Sequence, residues 1–238
     1  MTRNLSRRDF LKSSGIFAAA MALSACQPST EDATERALPT LDTAPDSSPA
    51  PPTDEALLLH TLKRISFGVT PAMLAHAREI GLDAYIEEQL SPESHDNSET
   101  ENFIEKNFET LNMTPKERFE LEKFGQPIQE MIEATLVRQW RSSSQFYEVM
   151  VDFWTNHFNI FLAKNPCRVL KADDDRDVIR AHALGNFHDI LSASAHSPAM
   201  LTYLDQATSK KDAPNENYAR ELLELHTVGV NGGSHHED

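Results

Sequence analysis

Between Ser144 and Ala163 the chain reads SQFYEVMVDFWTNHFNIFLA, and this stretch constrains the fold more than any other. At about 100° per residue, Tyr147, Met150, Val151, Trp154, Phe158, Phe161 and Leu162 fall on one arc of a helix. Phe146, Val149, Phe153 and Ile160 widen that arc beyond the apolar stripe of a surface helix. A helix over 144–163 therefore has to be central, with other elements packed around it. His157 falls inside the arc, one turn from Phe153 and Phe161, and Asn156 sits at its edge. A buried imidazole needs partners, because an unpaired buried polar group costs about 1–3 kcal/mol. Either His157 is a neutral core histidine bonded to a carbonyl or carboxylate, or it is a general base or metal ligand.

The rest of the body reads as helix after helix. Thr70-Pro71 and Ser197-Pro198 each supply an N-cap and a proline at the first helical position. Ser98 with Glu101, and Thr114 with Glu117, have capping-box spacing. Gly81, Gly125 and Asn165-Pro166 punctuate the segments. No alternating β-rich run is long enough for a sheet, so the expected class is all-α, an irregular multi-helix bundle.

A second helix is expected in PNENYARELLELHTVGVNGG, Pro214 to Gly233. Glu216, Asn217, Arg220, Glu221, Glu224 and Thr227 share an arc of about 140°. Tyr218, Ala219, Leu222, Leu223 and Leu225 lie opposite, with His226 among them. Glu216–Arg220–Glu224 has the spacing of a charge ladder, worth only about 0.2–0.5 kcal/mol per pair when exposed. Amphipathicity alone is equally consistent with a solvated face and with the wall of a site.

The N-terminus says where the protein works. Ser6-Arg7-Arg8-Asp9-Phe10-Leu11-Lys12 is a twin-arginine export signal. The uncharged run Ser13–Ala25 after it is shorter than the about 20 residues that span a bilayer. Leu23-Ser24-Ala25-Cys26 has the form of a lipobox, so residues 1–26 are read as a leader, with Cys26 lipidated as the membrane anchor. That places the protein on the periplasmic or outer side of the cell envelope. Residues 27–53, rich in Pro, Ser, Thr, Asp and Ala, cannot bury enough surface to fold and are read as a disordered tether of roughly 30 Å. Residues 54–238 form the helical domain.

Charge narrows the partners. The formal net charge is −15, and the leader carries four basic residues against one acid, so the remainder is more acidic still. Such a surface repels phosphate backbones, and nucleic acid is excluded as a partner. With Cys26 acylated, Cys167 is the one remaining thiol and no intramolecular disulfide can form.

Four segments, His60–Leu90, FWTNHF (Phe153–Phe158), SPAMLTYLD (Ser197–Asp205) and Pro214–Gly233, occur in an order that resembles the domain-of-unknown-function 1800 family of exported bacterial proteins. The resemblance runs from about Leu57 to the C-terminus and implies a predominantly helical domain. The family pattern marks Asn156, His157, Asn215, Glu216, Asn217, Arg220, Glu221, Glu224 and Gly229, and assigns chemistry to none of them. Members continue beyond the Gly232-Gly233 turn, so the resemblance implies that this chain is the N-terminal part of a larger helical domain, lacking helices that would cover the polar face.

Other motifs carry less. Asp173-Asp174-Asp175-Arg176-Asp177 could meet a hard cation, but lacks the glycine and terminal glutamate of an EF-hand; acids capping a helix start is the simpler expectation. His182, His188 and His196 lack zinc-binding spacing, and His235-His236 could hold a metal adventitiously. Hydrolase, nucleotide and redox signatures are absent.

Two function classes follow. One is an exported envelope lipoprotein that binds an envelope protein partner or has a structural role. The other is an exported enzyme, metal-dependent or metal-free, with His157, Arg220, Glu221 and Glu224 as catalytic groups and Asn156, Asn215, Glu216 and Asn217 as binding groups. The residues specify no cofactor.

Overall fold

Thr53 opens the folded body by accepting a hydrogen bond from the Ala56 amide, and the first helix starts at the next residue. The computed structural model describes residues 53–123, 125–164 and 166–230. Arg7, Arg8, Cys26, the tether up to residue 52, Asn165 and the histidine-containing tail lie outside the described residues. Among those described, all regular structure is helical. The α-helices are α1 (Asp54–Arg64), α2 (Pro71–Ile80), α3 (Leu82–Gln89), α4 (Ser98–Asn107), α5 (Pro115–Glu120), α6 (Gln126–Arg141), α7 (Gln145–His157), α8 (Cys167–Asp174), α9 (Phe187–His196), α10 (Pro198–Tyr203) and α11 (Asn217–Glu221). Both α8 and α11 run on into π-helical turns, Asp175–Arg180 and Leu222–Thr227.

Local signals explain many of the boundaries. Thr70 caps α2 through the Met73 amide, with Pro71 at its first position. Gly81 joins α2 to α3 at φ +85°, a backbone conformation that side chains other than glycine rarely adopt. Thr114 and Glu117 form both halves of a capping box at α5. Two expected caps are not made, because stronger partners take the side chains. Glu101 forms a bidentate pair with Arg138 at 2.8 and 2.7 Å, and the Ser98 amide is bound by Asp96. The Ser197 hydroxyl donates to buried Asp174 at 2.6 Å instead of capping α10.

The central helix is shorter than its apolar pattern suggests. After Phe158 donates its amide proton to Trp154 O, the backbone leaves the helical region. Turning there carries Phe158 and Ile160 from the loop into the core beside Val151, Ile179, Ile190 and Met200, and leaves Phe161 exposed. Smaller clusters gather Leu58, Leu62, Ala77 and Tyr85 from α1–α3, and Ile104, Phe108 and Ala134 from α4 and α6.

Charge is also built into this interior. Arg118 is fully buried, and its guanidinium reaches the carbonyls of Thr110, Met113 and Val169 and both oxygens of Asp173. Lys171 and Asp174 pair at 2.6 Å, both almost fully buried. Arg180 reaches Glu148 at 3.0 Å and Asp175 at 2.9 Å, and at the surface Asp177 pairs with Arg176. The 173–177 acids therefore cap nothing: they lie in the middle of a continuous helical run, Cys167 through Arg180, and each is matched to a cation. The expectation of a helix start is corrected by the position of Cys167, which opens the eight-residue α8 that Asp174 closes.

An aromatic histidine site and a polar cleft

His157 closes α7 in a half-buried position, where the rings of Phe153, Trp154, Phe158, Phe187 and His226 surround it at centroid distances between 4.7 and 6.2 Å. Its Nε2–H donates to the carbonyl of His226 at 3.0 Å. A carbonyl can only accept, so Nε2 carries the proton and a neutral ring keeps its lone pair on Nδ1. The site thus brings together His157 and the Asn217–Thr227 segment through a backbone group. Burial first, and the facing His157 second, hold the His226 imidazole below its ordinary pKa of 6.5.

The other predicted residues divide into two sets. Asn215 and Asn217 act as docking amides for α11. Asn215 donates to Asp205 O at 3.2 Å and accepts from the Asn217 amide at 2.9 Å, and Asn217 reaches Leu204 O at 3.4 Å. Asn156 bonds back to Asp152 O on its own helix. By contrast, Glu216, Arg220, Glu221 and Glu224 make no side-chain hydrogen bond or ion pair among the described residues, and the expected Glu216–Arg220–Glu224 ladder is not formed there. Their charges are left for solvent or a partner.

The π-turn explains why helical periodicity misplaced the apolar side. Val228 donates its amide to Leu223 O at 2.9 Å, five residues back, and the Thr227 hydroxyl reaches Leu222 O at 2.7 Å. This wider turn buries His226 and leaves Leu223, Leu225 and Val228 exposed. Gly229, at φ +82°, ends it by donating to Leu223 O.

A separate cleft of about 820 Å³ opens between the α2–α3 hairpin and the α6–α7 corner. Its walls are pinned by amides: Gln89 accepts from Phe146 N and donates to Ser143 O, and Gln145 accepts from Phe67 N. Inside it, His76 Nε2 donates to Glu88 Oε2 at 2.8 Å. His95 donates Nε2–H to the Glu88 carbonyl at 3.1 Å and turns Nδ1 toward Oε1 at 3.9 Å, too far for a hydrogen bond. Burial, then the Glu88 charge, push the Tyr85 hydroxyl up to about 12, so it remains protonated at neutral pH. Sequence reading missed this cleft. Its histidines and glutamate come from separate elements and share no motif spacing; folding at Gly81 is what brings His76 and Glu88 together. Among the described residues, no group of three or more His, Cys, Asp or Glu is gathered to hold a metal ion.

The fold and the leader together define an exported all-helical protein. A twin-arginine translocation signal matches residues 4–24, which assigns the route of export. The chain belongs to the family described as "Protein of unknown function (DUF1800)", which matches residues 60–238 and so covers the helical body. No curated protein and no solved structure matches the chain. No helix among the described residues is long and apolar enough to cross a membrane.

Proposed function

We propose that this protein is an envelope lipoprotein, held to the membrane through Cys26, whose helical body docks a protein partner on the face around His157. The observation that carries the reading is the exposure of that face. Phe153, Phe187, Leu223, Leu225 and Val228 are each more than two-fifths exposed, and Phe153 and Phe187 flank His157, which is itself bonded to the segment bearing the leucines. Contiguous apolar surface rimmed by charge marks interaction sites. The rim here holds Glu216, Glu221 and Glu224 against a single Arg220, so the matching partner has an apolar centre and a basic edge.

The anchor and the partner are tested separately. Replacing Cys26 with alanine should abolish lipid labelling and release the protein from membranes, while Arg7→Lys with Arg8→Lys should retain the precursor in the cytoplasm. In gently solubilised envelopes the wild type should migrate in a discrete, salt-sensitive assembly. A Leu223→Asp/Leu225→Asp protein should migrate as a monomer. A wild type that is monomeric throughout, or a double variant that keeps the assembly, overturns the docking reading.

A further inference from the structure

We propose that the cleft between the α2–α3 hairpin and the α6–α7 corner binds a small organic cation, its ammonium on Glu88 and its body against the neighbouring aromatic rings. This site is independent of the docking face. Its volume, about 820 Å³, lies in the range of small-molecule pockets.

Two polar atoms in the cleft make no hydrogen bond among the described residues. His76 occupies Glu88 Oε2, but Oε1 makes no hydrogen bond among the described residues, the His95 ring nitrogen standing 3.9 Å away. Tyr85, only 3% exposed, lines the cleft, and its hydroxyl also makes no hydrogen bond among the described residues. The ring is buried while the hydroxyl oxygen stays open to solvent, so a ligand can reach it. An unoccupied carboxylate oxygen and a free hydroxyl facing one cavity suit a ligand that carries N–H donors.

Charge decides the sign of that ligand. Among the described residues, Glu88 is the one carboxylate lining the cleft, and Arg141 the one guanidinium. Arg141 is turned away, pairing with Glu99 and standing 5.4 Å from the Phe103 ring centroid. Glu88 is therefore the acidic group of the cleft, flanked by His76 and His95, in a chain of net charge −15. Phe67, Tyr85 and Trp140 supply aromatic surface, and Trp140 is 82% exposed at the rim. Aromatic faces attract a cation through the ring quadrupole, and add more when water is excluded.

The test uses the purified full chain and two probes of nearly equal shape, benzylammonium and benzyl alcohol, followed by Trp140 fluorescence. Benzylammonium should bind saturably and about tenfold more tightly than the alcohol. Trp140→Phe should remove the signal, which excludes Trp154 as its source. Glu88→Gln should erase the preference while keeping the shape of the side chain. Equal affinity of the wild type for the two probes, no saturable signal at millimolar concentration, or a preference that survives Glu88→Gln overturns the proposal. The wild-type comparison decides the matter even if a variant fails to fold.

Discussion

The helical run Cys167–Arg180 and the segment Asn215–Val230 are both rich in charge, both marked by a π-turn, and opposite in fate. In the first, Asp173, Asp174, Asp175 and Asp177 each meet a cation, drawn from Arg118, Lys171, Arg176 and Arg180. In the second, Glu216, Arg220, Glu221 and Glu224 have no such partner among the described residues, and Leu223, Leu225, Val228 and Val230 are exposed. Buried charges left unpaired are intolerable, so Asp174 and Asp175 have to be satisfied, while the Arg176–Asp177 pair lies at the surface. Exposed charges cost little to leave free, so the second can keep its groups for something else. Charge density alone does not distinguish structure from recognition; pairing does.

The largest effect should come from the first region. Replacing Arg118 with methionine strands three carbonyls and leaves Asp173 with Arg176 alone, and should cost on the order of 3–5 kcal/mol in chemical denaturation. A loss below about 1 kcal/mol would mean that the network is incidental and would dissolve the contrast. Acid should expose the same network. Burial works against the Asp173 charge, but hydrogen bonding and charge from Arg118, with Arg176 behind, outweigh it and hold its pKa below the usual 3.8. Its contribution is therefore complete above that value and is lost as pH falls through the lower folded pKa. Asp173→Asn should flatten the acid limb of a stability–pH curve.

The fold was legible in the sequence where side chains act locally. Thr70-Pro71, Gly81 and the Thr114/Glu117 box are set by their own neighbours, and helix after helix followed from them. What was hidden depended on distant partners. Arg118 looks like an ordinary exposed helix residue until Asp173, fifty-five positions away, closes on it. Ser98 and Ser197 have the spacing of caps, but Glu101 is drawn away by Arg138 and the Ser197 hydroxyl by Asp174. That His157 needs a polar partner followed from its place on an apolar helix. A carbonyl was among the expected partners, and the His226 carbonyl takes that place; which carbonyl it would be was hidden, because a π-turn breaks the 3.6-residue period there.

Intermediate effects should come from the boundary between the regions. His157→Ala removes one hydrogen bond to a carbonyl and strands no charge, so it should cost about 0.5–1.5 kcal/mol, well short of Arg118. His226 titrates with a folded pKa below 6.5, so the native state binds fewer protons than the unfolded chain as pH falls from about 6.5. Stability should drop across that window down to the folded pKa, and His226→Gln should remove that slope. A slope unchanged in the variant would assign the titration to another group. The smallest effect on stability belongs to Leu223→Asp with Leu225→Asp. Both side chains are already wet, and the melting curve should stay within about 0.5 kcal/mol of wild type at each site.

The central claim, that the uncovered face recognises a partner while the paired interior only holds the fold, is tested most directly by site-specific photocrosslinking in intact envelopes. A crosslinker at Leu225 should yield one discrete adduct, lost when Glu221 and Glu224 are both changed to lysine. The same group at Glu99, whose side chain is 88% exposed, should yield none. Matching adduct patterns at Leu225 and Glu99, or no adduct at Leu225, would contradict the account.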